Sequence, residues 1–276
     1  MDNGYYLYAI AKEHSKAIDF LGCPGIDPQY PIMSLTHAEL IAIVSQVPLS
    51  QFGKEALAAN VQDFTWLEPQ ARAHDGIVRQ LASKSTIIPI RFATVYYSAD
   101  NVRQLLVSEK DQFKQLLDKL DGRWEMGVTI DFDKEKLRSS IKQSDSQVSE
   151  LADKIERTKP GTAYLLQKKL ETQISSLMDT YIDSKVQLIA DRLSQLCISV
   201  SQGALASPGN EINLAYVTIA CLVDQNKIDL FQDEILDWGK TYPPEAGMTI
   251  RLTGPWPPYT FSSLNETNRE TVSHVN

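Results

Sequence analysis

Cysteine is scarce. Cys23, Cys197 and Cys221 are the only three in 276 residues, odd in number and far apart. No CxxC spacing occurs, so neither a zinc site nor a disulfide framework is indicated. Cys197 and Cys221 lie in apolar runs and read as reduced core residues. Long apolar runs are missing as well: none approaches the ~18 residues of a membrane span. Met1-Asp2-Asn3-Gly4 lacks the basic stretch that opens a signal peptide, and a cytoplasmic protein is expected. Positive charge is outnumbered, 27 Lys and Arg against 35 Asp and Glu, for a net −8. That sign excludes a general binder of nucleic acid or of anionic membrane. Motifs of catalysis are absent too. Without GxxxxGK[ST], GxGxxG or GxSxG, neither a phosphate cradle nor a nucleophile elbow is encoded by motif. The histidines His14, His37, His74 and His274 show no paired ligand spacing such as HExxH.

What is present is the composition of a globular protein, 43% apolar and 22% charged. Its length suggests about two domains. Tyr5 to Ala11 is rich in aromatics and predicts a strand, and Gly22 to Pro28 is turn chemistry. Ile32–Leu35 and Leu40–Val47 continue the strand pattern. A helix is predicted from Trp66-Leu67-Glu68-Pro69, with Pro69 in its first turn and Ala71, His74, Val78 and Leu81 along one face. Thr86 to Tyr97 returns to strand character, with Pro89 placing it at an edge or at the strand's beginning. Ser98 to Leu120 reads as one helix, closed by Asp121-Gly122. A first α+β domain over residues 1–122 follows.

In the second half, Met126, Val128, Ile130 and Phe132 alternate as a strand. A heptad seam runs through Leu137, Ile141, Ser144, Val148, Leu151 and Ile155. After Lys159-Pro160-Gly161 a second seam extends from Leu166 to Leu196. Two apolar seams joined by a Pro-Gly turn predict an antiparallel helical hairpin over about 134–196. Short strand signals follow at Cys197–Ser201. Glu211–Val223 is apolar on both faces and hence central in its sheet. A helix is expected from the Asn226 cap, with Ile228, Phe231, Ile235 and Trp238 buried, to Gly239. Met248, Ile250 and Leu252 alternate with Thr249, Arg251 and Thr253 as a last strand, stopped by Gly254-Pro255. The order strand, helix, strand, strand, helix, strand predicts a modified ferredoxin-like domain over 123–262 whose first crossover is the hairpin. The chain is thus α+β throughout, and residues 263–276 read as a polar, disordered tail.

Candidate chemistry is thin. His74 adjoins Asp75, with Glu68 one to two turns earlier, but a satisfied structural histidine is the commoner outcome of such a setting. Arg91 between apolar neighbours suits an anion; pairing with a carboxylate of the preceding helix is its commoner fate. Asp131 and Asp133 share a strand face, a weak cation signal without further oxygen ligands. No catalytic, cofactor or metal residues are assigned. The stiff segment Gly254 to Phe261 presents Trp256 and Tyr259 at little entropic cost. Arg251, Trp256, Tyr259 and Phe261 are the interface candidates.

Several stretches together carry a resemblance. Tyr6-Leu7-Tyr8-Ala9-Ile10, Ile41 to Pro48, Trp66-Leu67-Glu68 with Ala73-His74 and Val78, and Ile88-Pro89-Ile90-Arg91-Phe92 occur in order. They are followed by Gly127-Val128, Gly161-Thr162-Ala163-Tyr164-Leu165 and the specific string Leu252-Thr253-Gly254-Pro255-Trp256-Pro257-Pro258-Tyr259. From Tyr5 to Phe261 the chain resembles the gas vesicle protein F/L family, closer to the F type. It departs at Trp124-Glu125-Met126-Gly127, where the family more often has Glu-Trp or Glu-Leu before Gly-Val. The resemblance implies an accessory or minor structural protein of gas vesicle assembly, located at the gas vesicle within the cytoplasm. It implies contact with the small apolar shell protein and with other accessory proteins, no lipid membrane, no cofactor and no enzymatic activity. The rival reading from the residues alone is a small-molecule sensor or enzyme on the ferredoxin-like scaffold, with a pocket near Arg91 and His74.

Overall fold

A computed structural model of the protein describes residues 2–208, 213–241 and 247–262. Contacts along the chain divide it into two compact units: Met1–Glu125 with the stretch from Trp256 on, and Met126–Pro255. The first unit therefore takes back residues 256–262, which the sequence reading carries with the second domain. The tail expected at 263–276 lies outside the described residues. Mixed helices and antiparallel sheets make the α+β class plain.

Unit 1 comprises β1 (Asn3–Lys12), β2 (Ile32–His37), β3 (Leu40–Pro48), α1 (Leu49–Phe52), α2 (Lys54–Asn60), α3 (Phe64–Lys84), β4 (Ile87–Pro89), β5 (Val95–Tyr96), α4 (Ala99–Ser108) and α5 (Lys110–Leu120). Its sheet runs β2-β3-β1-β4, with β5 also paired to β1. β1 is central and almost wholly buried, as expected of an aromatic and aliphatic run between two neighbours. Strand character from Thr86 to Tyr97 is not continuous. β4 pairs with Ala9–Ala11 and β5 with Tyr5–Tyr6, and between them the chain loops away through Ala93, at φ 66°. The detour has a use: the Ala93 N–H donates to the Tyr6 hydroxyl at 2.8 Å.

Two helix boundaries of unit 1 differ from the predicted ones, and each has a local cause. α3 begins at Phe64 because Asp63 caps it, accepting from the Thr65 N–H at 2.9 Å. Pro69 is therefore the sixth helical residue and not a first-turn residue. The single helix expected from Ser98 to Leu120 is two, broken at Glu109, whose N–H closes α4 on the Leu105 carbonyl while its own carbonyl opens α5 to Phe113.

Unit 2 contains β6 (Arg123–Asp133, entering from unit 1), α6 (Lys134–Ser144), α7 (Ser146–Glu156), α8 (Pro160–Leu196), β7 (Ser199–Gln202), β8 (Leu214–Asp224), α9 (Ile228–Thr241) and β9 (Met248–Trp256). The sheet order is β7-β8-β6-β9. Met126, Val128, Ile130 and Phe132 of β6 and Ala215, Val217, Ile219, Cys221 and Val223 of β8 point to one face. There they meet Ile182, Val186, Ile189 and Leu193 of α8 and Phe231, Ile235 and Trp238 of α9. The 37 residues of α8 run unbroken, a length of roughly 55 Å at helical rise. Its earlier turns share a second small cluster, Leu170 and Ile174 with Val148 of α7.

The seam expected as one helix from Lys134 is split at Asp145. That residue's N–H ends α6 on Ile141, and its carboxylate caps α7 at the Val148 N–H, 2.9 Å away. Asn226 is not a cap but lies in a 3₁₀ turn, and Gly239 falls inside α9. β9 passes through Gly254-Pro255, a cis peptide, to Trp256. An edge strand tolerates this, because proline's missing N–H removes no ladder bond there.

These placements set a stability contrast. Ile189→Ala, in the fully buried face of α8, is expected to cost about 3 kcal/mol. Leu165→Ala, at a position 65% exposed on the same helix, should fall within about 0.5 kcal/mol. Urea unfolding of the two variants checks the difference.

Candidate functional site

The candidate site is the segment 256–262 and the residues of unit 1 that hold it. His74 lies on the buried face of α3 at 4% exposure, between Val78 one turn on and the aromatic side chains of β1. Tyr6 and Tyr8, two residues apart in a strand, share a face. The Tyr6 hydroxyl stands 3.0 Å from His74 Nδ1, and the Tyr259 hydroxyl 3.2 Å from Nε2. Both imidazole nitrogens are thus engaged, one by the first strand and one by the returning segment. Tyr8 completes the layer, its hydroxyl 2.7 Å from Ser45 Oγ and accepting from the Ile26 N–H at 2.7 Å.

Further anchors flank this centre. The Arg79 guanidinium lies 4.0 Å from the Trp256 ring centroid, and its Nε donates to Asp75 at 2.6 Å. The Thr260 N–H and hydroxyl both donate to the Glu125 carboxylate, at 2.8 and 2.7 Å. Phe261 is buried beneath Lys119, and the Ser262 hydroxyl donates to the Pro89 carbonyl at 3.1 Å.

Electrostatics follow from burial. Desolvation pushes His74 down to about 4, against Asp75 and the Ile90 carbonyl, which favour its charged form. Burial likewise raises Tyr6 and Tyr259 above the ordinary phenol range, and Tyr8 to about 12. Glu125 is raised by burial, partly offset by its two bonds from Thr260. A neutral imidazole closed between two phenols is a fastening. It orders chain, with His74 and Tyr6 buried at its centre.

The other residues singled out by sequence are placed as follows. Arg251 pairs in bidentate fashion with Asp131, at 2.5 and 2.7 Å. Asp133 caps α6, accepting from the N–H groups of Glu135 and Lys136. The two aspartates therefore serve separate partners and do not form a cation pair. No group of three or more His, Cys, Asp or Glu among the described residues is placed to hold a metal. Arg91 is exposed whereas His74 is buried. Trp256 and Tyr259 are half-buried, Phe261 buried. A groove of about 700 Å³ in unit 1 is lined by Lys12, Glu39, Lys114 and Asp118 among others. Four of its charges pair across it, Lys12 with Asp118 at 2.8 Å and Lys114 with Glu39. Sequence reasoning missed Arg79 and Glu125. Their partners lie 177 and 135 positions away, beyond any local spacing.

The fold and the fastening define a two-unit α+β protein whose segment 256–262 closes its own first unit. The chain belongs to the gas vesicle synthesis protein GvpL/GvpF family, whose model matches residues 4–263. It is 29% identical to gas vesicle protein L of Streptomyces sp. (strain CB03234), covering 96% of this chain and 95% of that protein. To gas vesicle protein F of the same organism it is 23% identical, over 93% of this chain and 98% of the relative. The crystal structure of GvpF from Anabaena sp. PCC7120 shares the fold, with a TM-score of 0.73 at 21% identity over 96% of this chain and all of that one. Membership ties the protein to gas vesicle formation. Among the described residues no helix is long and apolar enough to cross a membrane.

His74 sets a pH signature. Its folded value lies below the unfolded ~6.5, so the unfolded chain takes up the proton first as pH falls. The His74 contribution to stability is expected to be complete above pH 6.5 and to fall by about 3 kcal/mol toward pH 4. Glu125, raised on folding, works in the opposite sense at its own site. Comparison with His74→Gln isolates the histidine: urea midpoints of the variant should lose this part of the pH dependence. Tyr259→Phe, which removes one hydroxyl bond, is expected to cost about 1 kcal/mol at pH 7.5 in the same assay.

Proposed function

We propose that the protein is an accessory or minor structural component of gas vesicle assembly, one that contacts the apolar shell subunit and other accessory proteins and makes or breaks no bonds. The family match over residues 4–263 carries this reading. The site is consistent with it, because its one buried histidine is fully occupied by structural hydrogen bonds. An enzyme or sensor reading needs convergent polar groups, and His74 and Arg91 differ in exposure instead.

In this reading unit 2 is a ferredoxin-like sheet carrying a helical hairpin, supported by the strand order β7-β8-β6-β9 and by α6 and α7 both touching α8. Tyr164 and Leu165, in the first turns of α8 and 61% and 65% exposed, give the hairpin an apolar tip for a partner. Of the interface candidates, Phe261 is buried, Trp256 and Tyr259 are half-buried against Arg79 and His74, and Arg251 is exposed.

Co-expression of the tagged full chain with the shell subunit tests the reading. The shell subunit should co-purify, and Tyr164→Glu with Leu165→Glu should weaken recovery severalfold if the tip takes part. Deleting the gene should abolish vesicles. Normal vesicles in the deletion strain would sink the proposal.

A further inference from the structure

Among the described residues, the outer edge of β7 combines exposure with a complete lack of charge. Residues 193–210 contain no Asp, Glu, Lys or Arg, the longest uncharged run in the sequence. Runs of this kind are ordinarily interior. The uncharged stretch 40–53 holds β3, which is buried. Here Ser201 to Leu205 are exposed, as are Ile198 at 47% and Leu205 at 50%. β7 ends the sheet order, so among the described residues only one of its sides is paired.

Exposed edges are ordinarily blunted by charge, proline or a bulge, because a row of free N–H and C=O groups recruits other strands. The opposite edge, β9, follows that rule with Arg251 and Pro255. β7 carries neither. The ladder direction is defined: the Gly203 N–H donates to the Thr218 carbonyl at 2.9 Å, and Ser201 stands opposite Ala220. Antiparallel bonding alternates, so the N–H and C=O groups of Val200 and Gln202 face away from β8.

We propose that this edge is a docking site for an extended, uncharged strand of the shell subunit, which adds to the sheet of unit 2 by backbone hydrogen bonding. The inference rests on the functional reading above. Charge selects the occupant: on a chain of net charge −8, this edge offers no partner charge to pair with and none to repel. A strand bearing Lys, Asp or Glu would lose hydration there without compensation, whereas an uncharged one gains backbone bonds and the apolar flanks Ile198 and Leu205.

The test uses the tagged full chain co-expressed with the shell subunit. Gln202→Pro removes an outward N–H and no bond to β8; Gln202→Lys with Leu205→Lys adds charge to the same edge. Both sites are exposed, and melting temperature checks the fold, so the second variant decides if the first unfolds. Shell recovery at least tenfold below wild type in a folded variant is the expected result. Equal recovery by wild type and variants overturns the edge assignment while leaving the functional reading in place. No recovery even by wild type overturns that reading and this one together. Light scattering on the chain alone adds a separate outcome. A wild-type dimer that Gln202→Pro converts to monomer would give the edge to a second copy of this chain and overturn the proposal.

Discussion

Unit 1 closes through a phenol, an imidazole and a second phenol. Tyr6 comes from the first strand, His74 from α3 and Tyr259 from a segment 253 residues after Tyr6. A buried polar network is stabilising only when every member is satisfied, and here each ring nitrogen has its partner. The chain leaves unit 1 at Glu125 and returns at Trp256, so unit 2 is an insertion within the sequence of unit 1. Glu125, at the point of departure, holds Thr260, just past the point of return.

Unit 2 distributes polarity differently on its two edges. β9 is guarded by Arg251, itself clamped to Asp131, and by Pro255. β7 is bare. On the helix side, buried residues on α8 at spacings of four, three and four cover the inner face of β6 and β8, which is the stripe a core-facing helix needs. Near its start α8 exposes Tyr164 and Leu165, its most exposed large apolar residues, and further on Leu188 and Leu196 are exposed to a lesser degree. Exposed apolar side chains in this unit thus lie at the helical tip, at Leu188 of α8, at Leu214 of β8, beside β7, and on α9 at Leu230 and Leu236.

Most strands were legible in sequence because period-two burial is a local signal: β1, β3, β6 and β9 all begin within about three residues of expectation. The breaks were not. Glu109 and Asp145 each end one helix and start the next with groups that solvent-facing heptad positions also carry, so the apolar seam runs on across them. The detour at Ala93 was equally hidden, since its partner is the Tyr6 hydroxyl, 87 positions distant. For the candidate site, Trp256, Tyr259 and Phe261 stood out as large aromatics on a stiff backbone. Their partners Arg79, His74 and Lys119 are scattered over two helices.

By itself the sequence determined the α+β class, the alternation of its strands, the long apolar seam of α8 and the family, because each of these is written in local periodicity or in a contiguous string. Tertiary structure alone decided that the final segment belongs to the first unit, that His74 is fastened at both nitrogens, and that β7 lies at an edge. The reason is physical. Hydrogen bonds and strand order join residues that proximity in space selects, and nothing in the spacing of one partner encodes the position of the other.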